Sequence, residues 1–249
     1  MNNDKKLTIV KERYDIAGLK ILMTTYHKTT MERALPYRAK KEWKEEEADG
    51  VIDFGQAFYE DIYQNHMPYS NYTTIEYMYT GSLFHRFLLK YNGCMLHSSA
   101  VVVDGYAYLF SANSGTGKST HTRLWMEHFG DRAFIINDDK PSLRLEEGEW
   151  YVYGTPWSGK HNINVNTRAK LGAIVFLERA ETNSIKPLDV QMAIPLFFNQ
   201  TVRLLKTAEK MDMVLERMEQ ILTQNPIYKM GCTISDEAVT MAYDTIRRV

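Results

Sequence analysis

Cysteine is scarce. The 249 residues contain only Cys94 and Cys232, far apart in the chain. That pair excludes a disulfide framework as the source of stability. Long apolar runs are missing too, so no stretch reads as a membrane span. Neither sign of charge dominates. Thirty Lys and Arg face 31 Asp and Glu, for a formal net charge of −1, which removes any general pull toward nucleic acid or an anionic bilayer. The opening Met1 to Lys6 lacks the apolar centre of a secretory signal. No internal repeat or low-complexity tract interrupts the chain. These absences predict a cytoplasmic globular protein with no nucleic-acid or membrane partner, and they leave homo-oligomerisation open. What is present suffices for a sizeable core: hydrophobic residues make up 44%. The length allows one large domain or one domain with a small companion.

The expected division is 1–92, a strand and helix region packed on the same body, and 93–249, the domain that carries the chemistry. Leu7 to Tyr14 and Leu19 to Thr25 are strand-like around an Ala17-Gly18 turn. The charge run Arg38 to Glu47 reads as a solvated face or mobile loop. A helix is expected over Thr73 to Lys90, capped by Thr73 or Thr74. Ile75, Met78, Tyr79, Phe84, Phe87 and Leu88 would form its apolar stripe.

From Ala100 the pattern sharpens. Ala100 to Val103 and Tyr106 to Phe110 are strands around Asp104-Gly105, a short-hairpin turn pair. A helix follows over Ser119 to about Phe129, then a short strand, Ala133 to Ile136. Ser142 to Leu145 and Trp150 to Tyr153 make a second hairpin, and Gly172 to Leu177 is an apolar strand. Two helices close the chain. The first buries Met211, Val214, Leu215, Met218, Ile221 and Leu222 on one face and stops before Pro226. The second is capped by Ser235, with Asp236 and Glu237 in its first turn.

Between the returning strand and its helix stands Ala112-Asn113-Ser114-Gly115-Thr116-Gly117-Lys118-Ser119. It fits the Walker A phosphate loop with alanine in place of the first glycine. Glycines at 115 and 117 let the backbone approach phosphate oxygens and point its N–H groups inward. The helix adds its positive end, Lys118 a point charge and Ser119 a hydroxyl for magnesium. Asn113 to Thr120 are therefore the expected nucleotide-binding residues, with ATP and Mg2+ as ligands. Asp138 and Asp139 end the next strand. One carboxylate there can hold the magnesium that bridges the phosphates, and the other can take the proton of an attacking hydroxyl. The expected order is Asp138 as base and Asp139 beside the metal.

The order of these pieces carries a resemblance. Leu96-His97-Ser98-Ser99-Ala100, the Asp104-Gly105 hairpin, Ser114 to Ser119 and Asn137-Asp138-Asp139 together resemble the catalytic domain of the HPr kinase/phosphorylase family. That family shares its nucleotide core with ATP-type phosphoenolpyruvate carboxykinases. The resemblance runs from about Leu96 to about Leu177. It implies an α/β fold whose mixed, hairpin-containing sheet surrounds the phosphate loop. It also implies an active-site role for His97 and transfer of the γ-phosphoryl group of ATP to a hydroxyl of a protein, peptide or small molecule. The family's later glycine-rich signature is missing. Gly154-Thr155-Pro156-Trp157-Ser158-Gly159-Lys160 takes its place, with Lys160 as a cation able to close over phosphate or acceptor. Arg203 is a weak counterpart of a later arginine in that family. The missing signature keeps a second reading alive, a nucleotide-binding regulatory or accessory protein without transfer activity. A third, a decarboxylating carboxykinase-like enzyme, fits poorly with the short chain.

Overall fold

A computed structural model describes residues 9–201 and 208–247. Leu7, the start of the first expected strand, and Arg203 lie outside the described residues. The chain separates into two compact units, Met1–Phe87 and Leu88–Val249, and each is mixed α/β. Among the described residues no helix is long and apolar enough to cross a membrane.

In the first unit β1 (Val10–Ile16) and β2 (Leu19–Thr25) form an antiparallel hairpin. The helix α1 (Lys28–Ala34) follows, and then β3 (Gly50–Ile52), which pairs parallel with β2. After α2 (Gln56–Asp61) comes α3 (Tyr72–Lys90), which runs to the next unit. Two expectations need correcting here. The cap of α3 is Asn71, whose side chain accepts from the Thr74 N–H at 2.7 Å. Met78 is exposed, because the buried face of α3 instead carries Glu76, Thr80 and His85 beside Ile75 and Phe84. The charge run is exposed for the most part, but ion pairs Lys11–Glu45 (2.7 Å) and Lys20–Glu47 (2.9 Å) tie it to the hairpin.

Glu76 gives this unit a pH dependence. It accepts from the backbone N–H of Tyr26 (2.6 Å) and of His27 (3.2 Å). Burial outweighs those bonds and raises its carboxyl from 4.5 to about 6. A raised acid is favoured in the folded state while protonated. Its penalty is absent below the unfolded value and complete above the folded one. Between about pH 4 and about pH 7 the wild type is expected to lose about 2 kcal/mol more stability than Glu76→Gln. Denaturant titrations of both proteins across that range check this. Parallel pH profiles would remove Glu76 as the cause.

Among the described residues, the second unit is built on a nine-stranded sheet. Its elements are β4 (Gly93–Met95), β5 (Ser98–Val103), β6 (Tyr106–Ser111), α4 (Lys118–Phe129), β7 (Ala133–Asn137), β8 (Ser142–Glu146) and β9 (Glu149–Tyr153). There follow β10 (Arg168–Arg179), β11 (Ser184–Pro187), α5 (Val190–Gln200), α6 (Ala208–Gln224), β12 (Ile227–Cys232) and α7 (Asp236–Ile246). The main path runs β4-β8-β9-β10-β6-β5-β7. The strand β12 runs parallel beside the C-terminal half of β10.

Period-two alternation sorts the core into two layers. Ala100, Val102, Ala107, Leu109, Ile174 and Phe176 point to one face, where α5 and α6 supply Phe197, Val214, Met218 and Ile221. Val101, Val103, Tyr108, Phe110, Ala173 and Val175 point to the other, against Trp125 of α4 and Ala238, Val239 and Ala242 of α7. Leu215, expected on the buried stripe of α6, is exposed. Ser235 caps α7 by accepting from Ala238 N–H.

The hairpin that feeds the phosphate-type loop is present. Asp104 and Gly105 both have positive φ (51° and 84°), and Val101 pairs antiparallel with Tyr108. The sequence reading also expects the aspartate strand to lie beside the loop strand, and there the structure differs. The strand that carries the two aspartates, β7, does not lie beside the loop strand β6. The hairpin partner β5 occupies one edge of β6, and β10 takes the other in parallel register. The aspartate strand therefore pairs with the outer edge of β5.

Candidate functional site

The loop 112–117 leaves the C-terminal end of β6 and turns into α4. Gly115 (φ 79°) and Gly117 (φ 124°) hold left-handed torsions closed to most side chains. A Cβ on either would meet nothing within 4 Å, so the torsions and not crowding call for glycine. At Gly117, the residue before α4, no side chain caps the helix. The first-turn N–H groups are thus left without a side-chain acceptor. Lys118 is buried, and its Nζ donates to the carbonyls of Ala112 (2.8 Å) and Asn113 (3.3 Å). Desolvation lowers its pKa, and the charges of Asp139 and Asp138 oppose that shift.

The acidic corner is held from three sides. Asn137, the last residue of β7, accepts from the N–H groups of Asp139 (2.9 Å) and Lys140 (2.8 Å), which folds 138–140 back over the strand end. Ser99 on β5 donates to Asp138 Oδ1 at 2.6 Å and lies 2.7 Å from the Thr122 hydroxyl on α4. Lys140 N–H donates to Trp157 O (3.1 Å), and the Thr155 hydroxyl to Lys140 O (2.8 Å). These bonds pin the loop 154–160 to the same corner. Gly154 permits the approach, since a Cβ there would stand 1.9 Å from Val165 O.

Asp139 has two partners, Lys140 Nζ at 2.6 Å from Oδ2 and His97 Nε2 at 3.3 Å from Oδ1. His97 is fixed in turn by Gln200 at the end of α5. Its ring Nδ1 lies 3.0 Å from Gln200 Oε1, while Gln200 Nε2 donates to Asn113 Oδ1 at 2.9 Å. Gln200 therefore ties the histidine to the loop.

One cleft of about 380 Å³ joins these pieces. His97, Ser114, Gly115, Gly117, Lys118, Ser119, Thr120, Asp138, Asp139 and Lys160 all line it. Of the residues expected from sequence, Asn113 and Thr116 are not in its wall. Asn113 is exposed and turned to Gln200, and Thr116 lines a neighbouring cavity. Sequence reasoning missed Arg123 and His161, which also line the cleft. It also missed Ser99 and Gln200, which position others. Arg123 lay within reach as a cation one turn beyond Ser119 on the helix, whereas Gln200 carried no local signal.

Magnesium and ATP can be tested against this donor set. Among the described residues no cluster of three or more His, Cys, Asp or Glu side chains is suited to a metal ion. The cleft wall offers the hydroxyls of Ser114, Ser119 and Thr120 and the carboxylates of Asp138 and Asp139. That fits magnesium shared with phosphate oxygens, which commonly takes one or two protein ligands and not a full protein cage.

No family model and no curated protein matches the chain. Among solved structures, the HPr(Ser) kinase/phosphatase from Coxiella burnetii is similar at 16% sequence identity, over 61% of this chain and 95% of that one, with a TM-score of 0.36. That is a distant structural relationship.

Proposed function

We propose that the chain is an ATP-dependent phosphotransferase that moves the γ-phosphoryl group to a hydroxyl of a protein, peptide or small molecule. One observation carries the reading: a single cleft in which a glycine loop with a buried lysine faces two carboxylates, a histidine and a further lysine. Phosphoryl transfer asks a protein mainly for positioning and charge compensation, and this wall supplies both. The loop and the uncapped start of α4 hold the β- and γ-phosphates, with the Lys118 charge between them. Ser119 and Asp139 are the residues to hold magnesium, whose chemistry there is to neutralise phosphate charge. The Lys140 ammonium already drawn to Asp139 supports its place on the metal side.

Asp138 then serves as base. Ser99 fixes its carboxylate through one oxygen. As the acceptor oxygen bonds to the γ-phosphorus, the acceptor proton passes to Asp138 and the bond to the β-phosphate oxygen breaks, releasing ADP. Lys160, exposed on the loop 154–160, compensates charge on the transferring group. His97 orients Asp139.

The test is transfer of labelled γ-phosphate from MgATP to serine and threonine peptides and to small alcohols. Magnesium-dependent labelling of an acceptor is expected, with slow hydrolysis when water is the only acceptor. Tight MgATP binding with no turnover on any acceptor would replace this reading with that of a nucleotide-binding regulatory protein.

A further inference from the structure

A second cavity, of about 450 Å³, adjoins the cleft and shares Gly115, Gly117 and Thr120 with it. The rest of its wall is of another kind. Leu124, Leu177, Ala180 and Ile234 contribute to it, and no carboxylate does. Resting on the phosphate-loop reading above, we propose that this cavity receives the nucleoside end, base and ribose, of the nucleotide whose phosphates the loop holds.

Continuity is the first support. A nucleoside triphosphate is a polyanionic tail joined to a flat, largely apolar head. Here a polar cleft and an apolar cavity meet along one loop, and each falls in the size range of ligand sites.

The second support is Ile234, which is 78% exposed at this cavity. It is held there. Asn183 Oδ1 accepts from the backbone N–H (2.8 Å) and hydroxyl (3.1 Å) of Thr233, and Ser235 is committed to capping α7. Neither neighbour lets the isoleucine fold inward, so a large aliphatic side chain is left for a ring to cover.

The third support is His121, which lines the cavity and is 4% exposed. The Trp125 indole can only donate, and it donates to His121 Nε2 at 3.1 Å. The imidazole must therefore carry its proton on Nδ1. Burial pulls its pKa down to about 4, so the ring is neutral at ordinary pH. That Nδ1–H is a buried donor with no hydrogen-bond partner among the described residues. Nδ1 itself is sealed from solvent, so His121 contributes a neutral ring to the cavity wall and not a direct bond to the base. Arg179 adds a flat surface. Its guanidinium donates to Gly115 O (2.6 Å) and Thr116 O (3.2 Å), which clamps a plane suited to stacking beside the loop.

The test compares two ligands, MgATP and magnesium tripolyphosphate, by calorimetric titration of the full chain. Ala180→Trp fills the cavity, and Ile234→Asp places a charge in it. Both positions are exposed, so both variants should fold, with circular dichroism as the check. Each should weaken MgATP at least about tenfold and leave tripolyphosphate within about twofold. Unchanged MgATP affinity in both variants, with the wild type binding both ligands, overturns this proposal alone. So does a loss of tripolyphosphate affinity as large as that of MgATP, or equal affinity of the wild type for the two ligands. A wild type that binds neither ligand overturns the phosphate-loop reading, and this proposal falls with it.

Discussion

Asp138→Asn is expected to lower phosphoryl transfer by a factor on the order of 10² to 10⁴ and to leave MgATP affinity largely intact. Asparagine keeps the shape of the side chain and can still accept from the Ser99 hydroxyl that now bonds Oδ1 at 2.6 Å. What it loses is the capacity to take a proton. Asp139→Asn should behave differently. It removes the charge shared by Lys140 and His97 and, with it, the carboxylate assigned to magnesium, so metal-dependent nucleotide binding should weaken together with turnover. The two variants are to be measured side by side for turnover and for affinity, with ATP hydrolysis as the readout where no acceptor is known. An exchange of the two phenotypes would reverse the roles of the aspartates. Wild-type behaviour in both would leave the pair a structural corner and take the mechanism away.

The parts of this site that local sequence made visible are those with local causes. Asp104-Gly105 shows in the sequence because both turn residues need positive φ. The loop 112–119 shows because glycine, lysine and a hydroxyl at fixed spacing have few other uses. The aspartate pair shows because it follows directly on an apolar strand. The parts that stayed hidden depend on tertiary pairing. Nothing between Ala133 and Asp139 says that β5 will take the edge beside β6 and push the aspartate strand one place outward. The helix α5, with Pro195 inside it, is absent from the elements expected from sequence, yet its last residue reaches both His97 and the loop. The misplaced stripe residues have a similar cause. Met78 and Leu215 fit the helical period, but burial on α3 goes to Glu76 and His85, and on α6 to Val214 and Met218. Periodicity ranks positions on a helix without knowing which neighbour packs against it.

Lys118→Ala is expected to weaken MgATP binding at least about tenfold, which corresponds to about 1.4 kcal/mol, and to weaken tripolyphosphate by a similar factor. The lysine is buried, and its ammonium is held by the carbonyls of Ala112 and Asn113, not by a carboxylate. Burial works against its charge, and the nearby Asp139 and Asp138 offset this only in part. A buried cation satisfied by loop carbonyls alone is under-compensated, so a polyphosphate that brings negative charge to it gains more than it would from an exposed lysine. Alanine removes that gain and leaves the two carbonyls facing the ligand, which adds repulsion. The loop should persist, since Arg179 also clamps Gly115 and Thr116 from the far side and the torsions of Gly115 and Gly117 do not depend on the lysine. Calorimetric titration of wild type and variant with both ligands gives the answer, with thermal melting to show that the fold survives. Equal affinities for both ligands in a folded variant would remove the phosphate site from this loop. The carboxylates across the cleft would then face no triphosphate.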